Sequence, residues 1–166
     1  TRFSLTVAAC APISAGSHLA RDADFSRYHT FAWETADSLP TGDPRLDNNA
    51  IFRDYLQGAV ERHLREHGVT LAVRGEYADL SIHYHAVVSQ HVTVNGQAAT
   101  PHSSGEPAII ADEESTIVLD IVNNQTRQLI WRGWAQGPLN AFVNDQDRMR
   151  KYIDESVVRM LRLLPV

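Results

Sequence analysis

The sequence predicts an α+β fold: a mostly antiparallel sheet of about four strands with two helices packed on one face, in the order β-α-β-β-β-α. Two segments, near residues 47–68 and 144–164, carry apolar residues at three- and four-residue spacing, which indicates amphipathic helices. Four other segments have strand character and lie before and between these helices. Since two such helices can bury only one face of a sheet, we expect the other face to be open.

The first part of the chain is expected to hold a linker, a strand and a helix. Residues 11–22 are rich in Ala, Ser and Gly, which predicts a linker. Residues 24–33 favour a strand, and the prolines and glycine of residues 34–45 predict a loop. A helix is then expected from about residue 47, with Gly68 as its C-terminal stop.

The middle of the chain is dominated by one long predicted strand, residues 78–94. Its residues alternate between an apolar side and a mostly polar side. The apolar side holds Leu80, Ile82, Tyr84, Ala86 and Val88. The other side holds Ser81, His83, His85, Val87 and Ser89. Residues 95–112 contain prolines and glycines and are expected to form a long connection.

Two further strands and a helix complete the predicted fold. The strands, residues 115–122 and 128–136, are joined by a hairpin turn at residues 123–126. The last helix is expected to have Asn144 as its N-cap and to end at Pro165. The open face of the sheet would then carry His83, His85 and some of Asp120, Arg132 and Trp134.

Length and composition predict one folded domain. We expect residues 1–22 to be a signal-peptide remnant, lipobox and linker, and residues 23–166 to be a single α+β domain. The net charge of −5 and the single lysine, Lys151, argue against nucleic-acid binding, which requires clustered cations. The single cysteine, Cys10, permits no internal disulfide.

The segment Val7-Ala8-Ala9-Cys10 has the pattern of a lipoprotein cleavage site. An aliphatic residue three positions before the cysteine and small residues next to it allow a peptidase to fit the backbone, while the thiol accepts a diacylglycerol. We therefore expect a mature chain that begins at Cys10 and is anchored to a membrane on the periplasmic side of a bacterial envelope. Ala11 and Pro12 follow, with no aspartate after the cysteine, which favours the outer membrane over the inner membrane.

Several short motifs together resemble one known family. They are the lipobox, the run DFSRYHTFAW at residues 24–33, the helix end His67-Gly68, the strand start at residues 78–80 and LIWRG at residues 129–133. Over residues 10–164 the chain is similar to the bacterial lipoprotein family known as domain of unknown function 4136. The resemblance implies an envelope lipoprotein without established catalytic or binding residues, so there is no functional site to carry over.

The motif residues also have a structural interpretation. Phe31, Trp33 and Trp131 are expected to fill the core, and Gly133 to permit a close approach of another group.

The histidines are the best candidates for chemistry. His83 and His85 lie two residues apart on one strand, so both side chains point to the same face and could hold a divalent metal. His91 and His102 could complete the set of ligands. The alternative is that the pair lies on a solvated sheet face. A second pair, His63 and His67 on the first helix, is interpreted as partly exposed packing residues.

No familiar catalytic pattern is present in the sequence, and we expect no enzyme. There is no glycine-rich phosphate loop and no nucleophile elbow, and Cys10 has no evident base. A set of carboxylates could supply a catalytic pair, but several of them form a charge run typical of a solvated strand entry: Asp79, Asp112, Glu113, Glu114 and Asp120. The basic residues Arg148, Arg150 and Lys151 are interpreted as a solvated helix face.

Three hypotheses follow for function. The first is a non-catalytic, lipid-anchored envelope protein that acts as a structural or accessory interaction module, as a peripheral subunit of a membrane assembly with a protein partner. The second is a periplasmic metal- or small-ligand-binding protein that uses His83 and His85. The third is a hydrolase whose site the sequence does not reveal.

Overall fold

The computed structural model describes residues 13–34, 43–94 and 109–165, which form one mixed sheet of six strands and three α-helices. The strands are β1 (Ser14–Leu19), β2 (Thr30–Trp33), β3 (Thr70–Leu71), β4 (Leu80–Val94), β5 (Ile109–Asn123) and β6 (Gln128–Pro138). The helices are α1 (Pro44–Asp47), α2 (Ala50–Glu66) and α3 (Gln146–Leu161). The predicted α+β class is confirmed.

The spatial order of the strands is β1-β6-β5-β4-β2-β3. The neighbours from β1 to β4 are antiparallel, whereas β2 is parallel to both β4 and β3. The expectation of about four mostly antiparallel strands is therefore only partly correct. The chain passes from β2 through α2 before it returns to the sheet, and a helical crossover of this kind places the joined strands parallel.

The strand missed at the N-terminus corrects the predicted linker. Residues 11–22 were expected to be a spacer, but β1 lies inside this range and pairs along its whole length with β6, from Ser14 opposite Gln136 to Leu19 opposite Trp131. Ile13, just before β1, is 7% exposed and belongs to the core. The expected domain boundary at residue 23 therefore falls after the first strand of the sheet.

The three long strands β4, β5 and β6 form an antiparallel meander. Its register places His83 opposite Asp120 and Asp120 opposite Arg132. The apolar side predicted for β4 is confirmed for Leu80, Ile82 and Ala86, each at most 1% exposed, whereas Ser81 on the other side is buried as well, at 7%. The pairing of β5 with β6 is irregular after Ile121, and this bulge lets the consecutive residues Ile130 and Trp131 both be buried.

The two long helices have well-defined ends. The Asn49 side chain accepts hydrogen bonds from the backbone N–H groups of Ile51 and Phe52 and caps α2, and Gly68, with φ of +80°, follows its C-terminus as predicted. For α3 the cap is Asp145, whose carboxylate accepts from the Arg148 N–H at 3.0 Å. The predicted N-cap Asn144 is therefore wrong by one residue.

A single hydrophobic core lies between the helices and one face of the sheet. It includes Phe31 and Trp131, both fully buried, with Trp33 packed against it, which confirms their predicted role. A Cβ atom at Gly133 would come within 2.7 Å of Trp131 Cζ2, so the indole occupies the space that a side chain at this position would need. The close approach predicted for Gly133 is confirmed.

Among the described residues, no helix is both long enough and apolar enough to span a membrane.

Candidate functional site

The sheet face opposite the helices carries the polar residues that the sequence placed there. We call it the open face and define it by the side chains of nine residues on β4, β5 and β6: His83, His85, Val87, Thr116, Val118, Asp120, Arg132, Trp134 and Gln136. The register brings these residues into rows that run across β4, β5, β6 and β1. Each row has a different chemical character.

The first row is charged. Arg132 donates two hydrogen bonds to the Asp120 carboxylate, from Nε to Oδ1 and from Nη2 to Oδ2, each at 2.6 Å. This fork geometry is a strong form of ion pair, and its hydrogen bonds raise the pKa of the Arg132 guanidinium above its ordinary value. At one end of the row His83 Nε2 contacts the Glu34 carboxylate, and at the other end His18 lies opposite Arg132. The carboxylates of this row therefore have cationic or imidazole partners.

The second row is apolar at its centre. His85 lies opposite Val118, Val118 opposite Trp134, and Trp134 opposite Gly16 on β1. Trp134 is 38% exposed, which is more than is usual for tryptophan, a residue that is highly buried on average. A Cβ atom at Gly16 would come within 2.6 Å of Trp134 Cε2, which shows that the indole lies against the backbone of β1. Because Gly16 has no side chain, the partly exposed ring of Trp134 can lie directly on the backbone of β1.

The third row adds a second exposed apolar side chain. Val87, which is 37% exposed, lies opposite Thr116, and Thr116 lies opposite Gln136. The open face therefore combines an aromatic ring and a valine with hydrogen-bonding groups and a fixed ion pair. Such a composition matches surfaces that bind other proteins, in which aromatic residues and arginine are enriched.

The histidine pair proposed as a metal site occupies one face, as the strand periodicity predicts. His83 is engaged by Glu34, and His85 follows two residues later on β4. In the part of the chain that the structure describes, no group of three His, Cys, Asp or Glu residues is placed to hold a metal ion. The backbone of His91 lies on β4 opposite Asp112, whereas His102 and the lipidation candidate Cys10 lie outside the described residues.

The other histidine pair and the basic run lie on the helical side of the molecule. The rings of His63 and His67 are 5.8 Å apart between centroids near the end of α2. A shallow depression of about 650 Å³ is lined by residues of α2 and α3 with charges of both signs, namely Arg62, Asp147, Arg150, Lys151 and Asp154. Arg62 and Asp154 form an ion pair at 2.6 Å, and Arg150 lies 3.8 Å from Asp147. Both carboxylates of this depression thus have an arginine partner.

The candidate carboxylates have structural partners rather than one another. Asp79 Oδ2 accepts from the backbone N–H groups of His29 and Thr30, and these hydrogen bonds hold the pKa of the carboxyl below its ordinary value. Glu113 forms an ion pair with Arg45, and the guanidinium lowers the pKa of this carboxyl as well. Asp79 and Glu113 are thus each held by a structural partner.

Sequence reasoning missed several contributors to this surface. Glu34 was assigned to a loop, and Gly16 and His18 to a linker. A six-residue strand of sequence Ser-Ala-Gly-Ser-His-Leu has no apolar alternation and few strand-favouring residues, so its pairing with β6 determines its conformation.

The fold and this surface define a class: an α+β domain with both long helices on one side of a mixed sheet and a mixed polar and aromatic surface on the other. The model of the family described as domain of unknown function (DUF4136) matches residues 17–166. The chain therefore belongs to this family, as the sequence motifs indicated. No curated protein matches the sequence.

Solved structures share the fold at low sequence identity. A DUF4136 family protein from Bacteroides thetaiotaomicron is 13% identical, with a TM-score of 0.51 over 89% of this chain and 95% of that one. A PelC dodecamer from Paraburkholderia phytofirmans is 8% identical, with a TM-score of 0.50 over 90% and 95% of the two chains. A PDZ domain protein from Parabacteroides distasonis is 15% identical with a TM-score of 0.57; the match covers 95% of this chain but only 37% of that protein.

Proposed function

We propose that the protein is a non-catalytic interaction module of the bacterial envelope, anchored through a lipid on Cys10 and docked on a protein partner through the open face. The observation that carries this proposal is Trp134, a 38% exposed indole that lies against the backbone at Gly16. Exposed aromatic rings in fixed positions are typical anchors of protein interfaces because they bury a large area at little entropic cost.

The electrostatics of the open face support a protein partner. The Arg132–Asp120 ion pair is already formed in the isolated domain. A partner that docks over it therefore buries two charges that neutralise each other, and neither is left without a counterion. The geometry of the tether agrees with this role. Cys10 lies three residues before Ile13, and a chain of that length reaches at most about 11 Å, so a lipid on Cys10 would hold the sheet close to a membrane.

The relatives of the fold also support an assembly role. PelC was solved as a dodecamer, so the same architecture is compatible with protein–protein contacts in at least one neighbour. We propose the outer membrane as the site of the anchor, on the sequence argument given above.

A second candidate function is metal binding by His83 and His85. The observation in its favour is the contact between His83 Nε2 and the Glu34 carboxylate, because metal-bound histidines usually donate their other ring N–H to a carboxylate. The other nitrogen of His83 would then be available, with His85 beside it.

Native mass spectrometry of the protein extracted gently from its own membranes tests both functions. The wild-type chain is expected to carry the mass of a lipid on Cys10 and to travel with a partner subunit. Trp134→Glu should lose the partner, whereas Leu163→Glu, at a 45% exposed position after α3, should retain it. Cys10→Ser should remove the lipid mass.

The same spectra distinguish the alternative. A metal mass that disappears in the double variant His83→Ala, His85→Ala would establish metal binding. An unacylated chain with no partner in any extract would overturn the proposed interaction role.

A further inference from the structure

The strand β1 forms one edge of the sheet, and one side of its backbone has no neighbouring strand among the described residues. The N–H of Ala20 donates to the carbonyl of Ile130, so residues 20 and 130 form a hydrogen-bonded pair. In an antiparallel ladder these pairs alternate, so the even-numbered residues of β1 bond to β6. The N–H and C=O groups of Ala15, Ser17 and Leu19 therefore point away from the sheet.

This edge lacks the devices by which proteins prevent edge strands from pairing with other chains. Such devices are lysines, prolines, bulges and inward-pointing charges. The sequence of β1 is Ser-Ala-Gly-Ser-His-Leu, and its pairing with β6 runs without a register shift. Leu19 is moreover 40% exposed at the end of this strand.

We propose that β1 pairs with β1 of a second copy of this chain, antiparallel and centred on Ser17, so that the two sheets join into one. A two-fold axis through this point makes the backbone groups of identical strands match automatically, since every donor of one strand meets an acceptor of the other. Ser17 lies opposite Ser17 of the second copy, and Ala15 of each copy lies opposite Leu19 of the other.

The side chains fit this register on both faces of the joined sheet. On the helical side, the exposed Leu19 lies beside Ala15 of the second copy, so a large side chain meets a small one. On the open face, His18 lies beside Gly16 of the second copy, where the Trp134 indole of that copy covers the backbone. An imidazole can pack against the indole at this place because glycine contributes no side chain.

The dimer edge borders the surface that the proposed function assigns to a different protein, since His18 of one copy would contact the edge of the Trp134 indole of the other. Trp134 lies next to β1, but the edge uses the backbone of residues 15, 17 and 19, and the rest of the open face remains free in the joined sheet. Two copies joined in this way would present two open faces on the same side of the double sheet, since a two-fold axis perpendicular to the sheet keeps each face in place. The dimer is therefore compatible with two docked partners.

Disulfide trapping in the full chain tests the register. In a Cys10→Ser background, Ser17→Cys is expected to form a disulfide-linked dimer on mild oxidation, because opposite residues of a hydrogen-bonded pair have Cα atoms about 5.5 Å apart, within disulfide range. Ala15→Cys in the same background is the matched control. Its two copies would lie four residues apart along the strands, roughly 13 Å, and should not be linked.

Sedimentation equilibrium of the Cys10→Ser chain gives the second measurement. The dimer should dissociate in the variant Ala15→Lys, since this exposed position accepts a charge without disturbing the core. A monomer at all concentrations before substitution would overturn the proposal, as would equal crosslinking at positions 15 and 17. Because Ala15→Lys leaves the Trp134 surface intact, partner capture by this variant separates the failure of the dimer from the failure of the proposed function.

Discussion

The Trp131 indole occupies the space in the core that a side chain at Gly133 would need. The indole is fully buried, and its ring fills the space beside the glycine two residues later on the same face of β6. A side chain at position 133 would have to displace a ring that has no free space to enter, since protein cores are close-packed. The glycine is thus required by the size of its neighbour.

We predict that Gly133→Ala lowers the free energy of unfolding by about 1–3 kcal/mol, the usual cost of overpacking a core. Gly58→Ala is the matched control: it lies in α2, and a Cβ there would have only a distant contact with Arg62, at 3.6 Å. The control should be stabilised by about 0.5–1 kcal/mol, because alanine is the better helix former. Urea unfolding followed by circular dichroism gives both values, and an unchanged midpoint for Gly133→Ala would contradict the prediction.

The start of helix α3 depends on which of two neighbouring polar residues caps it. Asn144 and Asp145 are both residue types that cap helices, and the sequence pattern favoured the first. The structure selects the second: Asp145 has extended backbone angles and its carboxylate accepts from the Arg148 N–H. The choice depends on how the chain enters the helix from β6, which local sequence does not specify.

The two candidates make opposite predictions for alanine substitutions. We expect Asp145→Ala to cost about 1 kcal/mol of stability, the typical value of an N-cap, and Asn144→Ala to change it by less than about 0.5 kcal/mol. Thermal unfolding of both variants measures the difference. The reverse order of the two effects would mean that the helix begins one residue earlier.

At the scale of the whole molecule, the elements with a periodic apolar pattern could be predicted from the sequence. The strands whose conformation depends on pairing with a neighbouring strand could not. The apolar periods of α2, α3 and β4 identified these elements, and the alternation on β4 placed His83 and His85 on the open face. The strands β1 and β3 have no such pattern, since they are short and held by their neighbours. The parallel position of β2 also depends on a crossover that a local pattern does not encode.

The same limit applied to the candidate site. Strand periodicity predicted that some of Asp120, Arg132 and Trp134 lie on the open face, and the register places all three there. The contacts of Trp134 with Gly16 and of His83 with Glu34 could not be predicted, because the composition around Gly16 predicts a linker and that around Glu34 a loop.

Asp79 connects distant parts of the molecule, and we predict that it governs acid stability. Its carboxylate accepts from the backbone before β2, and its own carbonyl accepts from the Asn124 N–H after β5. Because the folded-state pKa lies below the unfolded value, the carboxylate contributes stability that is fully present above the unfolded pKa near 3.8 and is lost as pH falls through the folded value.

The variant Asp79→Asn tests this contribution. At neutral pH it should be less stable than the wild type by on the order of 1–3 kcal/mol, because charge-assisted hydrogen bonds become weaker ones. The difference should shrink as pH falls below about 4, where Asp79 of the unfolded wild-type chain takes up its proton before that of the folded chain does. Urea midpoints measured from pH 7 to pH 2.5 provide the comparison, and a difference independent of pH would contradict the assignment.

The pairing of β1 with β6 also fixes an order of events in folding. Ser14 lies opposite Gln136, so one of the first described strands depends on one of the last. Strands β4, β5 and β6 pair with neighbours in sequence, whereas β1 pairs with a strand more than 100 residues away, the most distant strand pairing among the described residues, which costs the most chain entropy. On the ribosome, which synthesises β1 before β6, β1 therefore lacks its partner strand until β6 has been made.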